Sequence, residues 1–411
     1  MSVVMPLAVA ALSTALFALL HWRGIPLSPD GWAYWQAAVG IANGAGYRDF
    51  SGNALIAWPP LYSIYLSLWV RLMGATGLAL VMANGALIVL QSVAWFVAMR
   101  RILGVARVAR PAPVNAAIAL YVGIYVPLTF QAAHANNLGF LFACLLLHTT
   151  WQSFLAQTSE RRTAWLLASI AAATLALLSH NINLAFVATC AFVLLLLQHQ
   201  SRRDYFSAAQ LFLIPVAIWL LVRWHLGQLG SHPVGAGLAQ FGPFQYLIQT
   251  AAVIGNLVVP SVFGAPLFVS IALFAWCIWI SVFRSQSKRA ASTRFVVGIV
   301  VGNCALLILM FSVTSVTDPI GARFVGWVPL IVVPAILINV SRMGLAALIA
   351  ATCLVLAPNI HRLIVFATIH ADLGRQKEIG VLFPIGALIS PTYTSGPAVE
   401  TNRGLLIAPP R

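Results

Sequence analysis

Apolar stretches about 20 residues long recur along most of the 411-residue chain. Each is long enough for an α-helix to cross the hydrocarbon core of a bilayer. Hydrophobic residues make up 61% of the chain and charged residues 8%, against roughly 25% charged in a soluble domain. Too little polar surface remains to wet a globule of this size, so lipid must be the solvent for much of it. Strand-type alternation of apolar and polar residues is absent, which argues against an outer-membrane barrel. The expected fold class is an all-α polytopic membrane protein.

The runs place about eleven spans, near residues 3–20, 76–99, 113–133, 138–156, 163–180, 183–199, 206–223, 265–283, 295–315, 325–341 and 344–358. The first reads as a retained span, having no basic start and no clear small-x-small cleavage site. Basic residues cluster after every second span: "RRILGVAR" with Arg110, then Arg161 and Arg162, then "SRRD", then "RSQSKRAASTR", then Arg342. Such clusters mark cytoplasmic segments. Arg23, just after the first span, points the other way and is outvoted by the clusters. Counting "PPLYSIYLSLWVRL" (Pro59–Leu72) as a span would break this alternation. It is expected to be a short helix in the external interface, with Tyr62, Tyr65 and Trp69 at headgroup level. The expected organisation is one transmembrane domain, 1–358, with external loops at 21–75 and 224–264 and an irregular external tail, 359–411.

The net charge of +15 belongs to these orientation clusters, so no nucleic-acid partner is expected; the partner is the bilayer. All five cysteines fall in apolar segments and read as small buried hydrophobes. Neither they nor the histidines show a metal-ligand spacing.

The chain has eight acidic residues. Glu160 and Asp204 read as solvated charges beside cytoplasmic arginines. Asp30, Asp49, Asp318, Asp372, Glu378 and Glu400 fall on the external side, and none lies within a span. That disfavours a proton-coupled pump, which needs ionisable groups along an intramembrane path. In "SPDGWAYWQAAV", Ser28 is a candidate N-cap, Pro29 takes the first helical position, and Asp30 lies in the first turn. The helix dipole favours its anion there. Such a carboxylate either completes a cap or serves as a base or cation ligand. Asp49, in "GAGYRDFSGN", is either a turn residue paired with Arg48 or a second functional acid. In "VTDPIGARFVGWVPLIVVP", Asp318 ends one span and Arg323 opens the next, where Arg either snorkels or holds a phosphate. Tyr34, Tyr47 and Tyr62 are candidates for substrate contact or interfacial anchoring. His134 with Asn136 and Asn137, His180 with Asn181 and Asn183, and His225 with His232 are candidates for sugar hydroxyls or phosphate.

The order first span, "PDGWAYWQAAVGIANGAGY", "WPPLY", interfacial helix, then a span ending in "RRILG" resembles the GT-C superfamily of integral-membrane glycosyltransferases. It is similar in style to the protein mannosyltransferase, lipid A aminoarabinose transferase and Rgt-type branch. The segment from Asp318 to Pro334 is similar in kind to a late family motif, with Phe324 where Tyr is frequent. The resemblance implies sugar transfer from a polyprenyl-phosphate carrier to a lipid, glycan or protein acceptor at the external face of a bacterial inner membrane. It implies Asp30 as catalytic carboxylate, Asp49 as a second acid, and Arg323 near the lipid phosphate. Relatives often carry two consecutive acids where Asp30 is followed by Gly31, so a paired-acid divalent-metal site is not supported and no cofactor is expected. The competing reading is a transporter or flippase of lipid-linked sugars.

Overall fold

A computed structural model describes residues 3–21, 25–27, 29–49, 52, 55, 58–108, 110–130, 133–198, 202–228, 242–258, 272, 275, 288–313, 322–371, 381–382, 398–401 and 404–407. The expected span at 265–283, the Ser28 cap, Asp318, His232 and Cys277 lie outside the described residues, as does the side chain of Arg323.

The described chain is built from helices: α1 (Val4–His21), α2 (Pro29–Ala42), α3 (Leu61–Met73), α4 (Gly77–Ile102), α5 (Pro111–Thr129), α6 (Ala135–Leu155), α7 (Ser159–Ser179), α8 (Asn183–Gln198), α9 (Arg202–His225), α10 (Pro243–Val258), α11 (Lys288–Val313), α12 (Ala322–Val325), α13 (Val328–Val340) and α14 (Leu345–Ala371). Eight of these, α1, α4 to α7, α9, α11 and α14, are long and apolar enough to cross a membrane. Among the described residues the sequence expectation of about eleven spans is therefore met by eight. Two expected spans fold as the shorter apolar helices α8 and α13, and one lies outside the described residues. Large aliphatic side chains such as Leu167, Leu213, Leu221, Leu309 and Leu354 are exposed on the spans. In water that surface would be costly; against acyl chains it is neutral. The protein is a multi-pass membrane protein.

Local chemistry sets several boundaries. Thr76 caps α4 by accepting from the Ala79 amide, and Thr158 caps α7 through the Arg161 amide, each satisfying an orphan donor. α4 ends in Arg100 and Arg101, cations that suit a helix C-terminus. α14 runs through Pro358 to Ala371, beyond the expected end of the last span at 358. One proline removes one helical hydrogen bond, which the flanking apolar turns tolerate here. The tail also contributes short strands. β1 (Pro26–Leu27) pairs antiparallel with β2 (Val381–Leu382), and β3 (Ala398–Thr401) pairs with β4 (Gly404–Ile407).

α6 packs on α7, α1 lies against α4 and α5, and α11 packs on α8. The α8–α11 contact is close because α11 carries Gly298 and Gly302. A Cβ at these positions would meet Val193 at 2.8 Å and Thr189 at 2.9 Å. This is the small-xxx-small spacing by which helices approach in lipid. On the side of the basic clusters, Asp204 is not the solvated charge expected from sequence. It is buried and accepts a hydrogen bond from Arg162 Nη2 at 2.9 Å. Folding brings the starts of α7 and α9 together, and the two charges neutralise each other there.

Candidate functional site

At the opposite end of the bundle, the starts of α2, α6 and α8 and the end of α9 converge. Asp30 lies in the first turn of α2, and its side chain is 35% exposed. Two donors clamp its carboxylate. Trp58 Nε1 donates to Oδ1 at 3.3 Å, and His134 Nε2 lies 3.3 Å from Oδ2. His134 is the N-cap of α6, and its Nδ1 accepts the Asn136 amide at 3.1 Å. A ring nitrogen that accepts carries no proton, so the proton sits on Nε2 and points at Asp30.

His180, at the C-terminal cap of α7, uses its Nδ1 the same way, accepting the Ile182 amide at 3.2 Å. The His134 and His180 rings lie 5.8 Å apart. Gly139 permits this proximity. A Cβ there would meet Asn183 Nδ2 at 2.6 Å and the His180 Cβ at 3.7 Å, so any larger residue would push the α7–α8 junction off α6.

The contacts continue around a closed ring. The Trp58 carbonyl accepts from Gln228 Nε2 at 3.0 Å, and the Gln228 carbonyl accepts from Arg223 Nη2 at 3.3 Å. The Arg223 guanidinium sits over the Trp219 ring, 5.1 Å from its centroid. Trp219 Nε1 donates to Asn181 Oδ1 at 3.1 Å, and Asn181 adjoins His180. Asp30 and Arg223 thus occupy different arcs of one ring. Arg223 is 7% exposed. Its Nε is buried without a hydrogen-bond partner, and among the described residues no carboxylate pairs with it. A guanidinium kept buried with no carboxylate beside it costs free energy, which an anionic ligand recovers.

The expected tyrosines divide. Tyr47 joins the ring, donating to the Trp58 carbonyl at 2.8 Å; burial pushes its hydroxyl above the ordinary tyrosine pKa. Tyr34 and Tyr62 lie beneath the ring, both fully buried, their rings 5.3 Å apart edge to face. Tyr62 donates to Asn84 Oδ1 at 2.8 Å, Asn137 Nδ2 reaches the same oxygen at 3.4 Å, and Gln91 donates to the Asn137 carbonyl. The headgroup placement of Tyr62 is corrected by this burial: α3 is packed against both α2 and α4, and its outward positions are Ile64, Leu68 and Leu72. Asp49 sits in a turn closed by the Gly52 amide donating to its carbonyl at 3.1 Å. Arg48, expected as its partner, donates to the Gly52 carbonyl at 3.2 Å.

Sequence reading missed Arg223, Gln228 and Trp219. Arg223 looked like one more basic residue ending an apolar run. Its nearness to Trp219 four residues earlier was the available signal, since that spacing stacks two side chains on one helix face.

The architecture defines a polytopic membrane protein of the GT-C fold, with a mouth of acidic, basic and aromatic groups at one end. The crystal structure of apo ArnT from Cupriavidus metallidurans aligns over 92% of this chain and 78% of its own, with a TM-score of 0.51 and 16% identity. The same protein bound to undecaprenyl phosphate aligns over 91% and 78%, with a TM-score of 0.49 and 15% identity. The oligosaccharyltransferase of Archaeoglobus fulgidus, solved with zinc and sulfate, aligns over 90% of this chain and 53% of its own, with a TM-score of 0.54 and 13% identity. This chain spans about half the length of that last protein. No protein-family model matches, and no curated protein matches.

Proposed function

We propose that this protein is a glycosyltransferase moving a sugar from a polyprenyl-phosphate donor to a lipid, glycan or protein acceptor at the external face of a bacterial plasma membrane. The GT-C fold and the sequence resemblance support the class. The observation that carries the mechanism is the ring holding a partly exposed Asp30 carboxylate and a buried Arg223 that pairs with no carboxylate among the described residues.

In this reading the acceptor oxygen attacks the anomeric carbon. The bond from that carbon to the phosphate oxygen breaks, and its electron pair leaves with the polyprenyl phosphate. Asp30 takes the acceptor proton. Arg223 holds the departing phosphate, a role for which its planar fork and fixed charge are suited. Arg323, with Asp318 nearby in sequence, is proposed as a second contact to donor phosphate. Asp49, Tyr47 and His180 are proposed to contact sugar. Trp58 and His134 each hold one oxygen of Asp30, which fixes the orientation of the carboxylate toward substrate.

No cofactor is proposed. Among the described residues no cluster of three or more His, Cys, Asp or Glu is placed to hold a metal ion, and no step is routed through one. The external orientation rests on the basic clusters lying at the far end of the bundle.

Purified protein in nanodiscs, given polyprenyl-phosphate sugars and membrane extract, should release polyprenyl phosphate. Asp30→Asn should reduce that release by at least about 100-fold, the typical contribution of a general base. Equal rates in the two proteins would remove Asp30 as the base, and no release by the wild type from any donor would remove the function.

A further inference from the structure

We infer that His134 is a positioning residue for Asp30, with its tautomer locked by the start of α6. This rests on the reading of Asp30 as the base. The Asn136 amide occupies Nδ1. That bond occupies the Nδ1 lone pair and leaves Nε2–H facing Asp30 Oδ2 at 3.3 Å. Protonating Nδ1 would set two N–H groups against each other and break the cap of α6. His134 is therefore a donor at this position, and neither a second base nor a metal ligand through Nε2.

The consequence is geometric and electrostatic. His134 is 9% exposed at its side chain and Asp30 35%, so a rigid buried ring holds a carboxylate that opens to solvent. Its hydrogen bond favours the ionised form of Asp30 and fixes the orientation of the carboxylate. The titratable groups facing His134 are Asp30 from α2 and His180 from the α7–α8 junction. α4 faces this region with the neutral Gln91 and Asn84, both toward Asn137.

Two substitutions separate the cap from the donor. His134→Asn retains an oxygen that caps α6 well but does not reach Asp30. His134→Gln places an amide N–H near the position of Nε2. In nanodiscs, His134→Asn should melt like the wild type and release polyprenyl phosphate about tenfold more slowly. The KM should not change, and the acidic limb of kcat should move to higher pH. His134→Gln should restore most of the rate. Equal loss in both variants, or a change in KM alone, overturns the inference.

An independent readout is histidine side-chain 15N NMR, with the His134 signals assigned by difference against His134→Asn. Near neutral pH they should show the neutral Nε2–H tautomer. An Nδ1–H tautomer, which frees Nε2 to bind metal alongside Asp30, overturns the inference, and so does an imidazolium. If the wild type shows no turnover, the glycosyl-transfer reading fails, and the tautomer alone decides this inference.

Discussion

At the scale of single residues, the site is a set of charges whose neighbours were chosen by folding. Arg223 shows this best. Among the described residues its guanidinium stacks on Trp219 and donates to the Gln228 carbonyl, with its Nε left without a hydrogen-bond partner. Arg223→Gln should weaken binding of a short-chain polyprenyl phosphate at least about tenfold, the scale of one lost charge-assisted hydrogen bond. Binding of the uncharged prenyl alcohol should not change. Arg223→Lys should recover only part of the loss, because an ammonium neither forks nor stacks as guanidinium does; titration calorimetry in detergent reads all three.

Tyr65 makes a pH prediction. Burial raises its pKa from 10.0 to about 12, and its hydroxyl donates to the Ala83 carbonyl at 2.6 Å. A raised acid pKa means that the folded state keeps a proton the unfolded chain has lost. Stability should therefore fall as pH rises from about 10 to 12. Melting temperatures across that range should decline less in Tyr65→Phe than in the wild type.

At the scale of elements, helix ends place the chemistry and glycines set the spacing. α2 supplies Asp30 from its first turn, α6 supplies His134 as its cap, and α7 supplies His180 just past its end. α11 approaches α8 through Gly298 and Gly302. Gly302→Leu would drive a side chain into Thr189, whose Cγ2 lies 2.9 Å from the position of a Cβ. Overpacking of this kind costs about 1–3 kcal/mol, so the melting temperature should drop. Because α11 contacts α8 and not the ring, residual activity per folded molecule should hold. A thermal shift paired with turnover at low temperature checks both halves.

The candidate elements were unequally legible. α2 was marked by Pro29 and the acid after it, and α3 by its bounding prolines. α8 and α13 were expected as spans from their apolarity, and among the described residues they are shorter apolar helices. The expected boundary lay at 358, yet α14 continues through Pro358 to Ala371, since packing against α5, α10 and α13 outweighs one missing hydrogen bond.

At the scale of the whole molecule, the bundle has two unlike ends. One carries Arg100, Arg101, Arg161, Arg162 and the bridge to Asp204. The other carries Asp30, His134, His180 and Arg223. If basic segments stay in the cytoplasm, the second end is external. Single cysteines at Asn43 and at Ser159, both exposed positions, in a cysteine-free background should label differently in intact cells. A membrane-impermeant maleimide should reach Asn43→Cys and spare Ser159→Cys. The reverse pattern would turn the protein over and place the site on the cytoplasmic side.

By itself the sequence determined that the chain lives in lipid, where most of its helices run, and that Asp30 begins a helix at a membrane face. Those follow from transfer free energy and local backbone chemistry, which are properties of short windows. The tertiary structure decided which groups meet Asp30. Its partners Trp58 and His134 lie 28 and 104 residues away, and Arg223 closes the ring from the end of another helix. Asp204, Tyr62 and Arg223 were each misplaced or missed for the same reason. The environment of a polar group is set by the neighbours that helix packing supplies, and no local pattern encodes those neighbours.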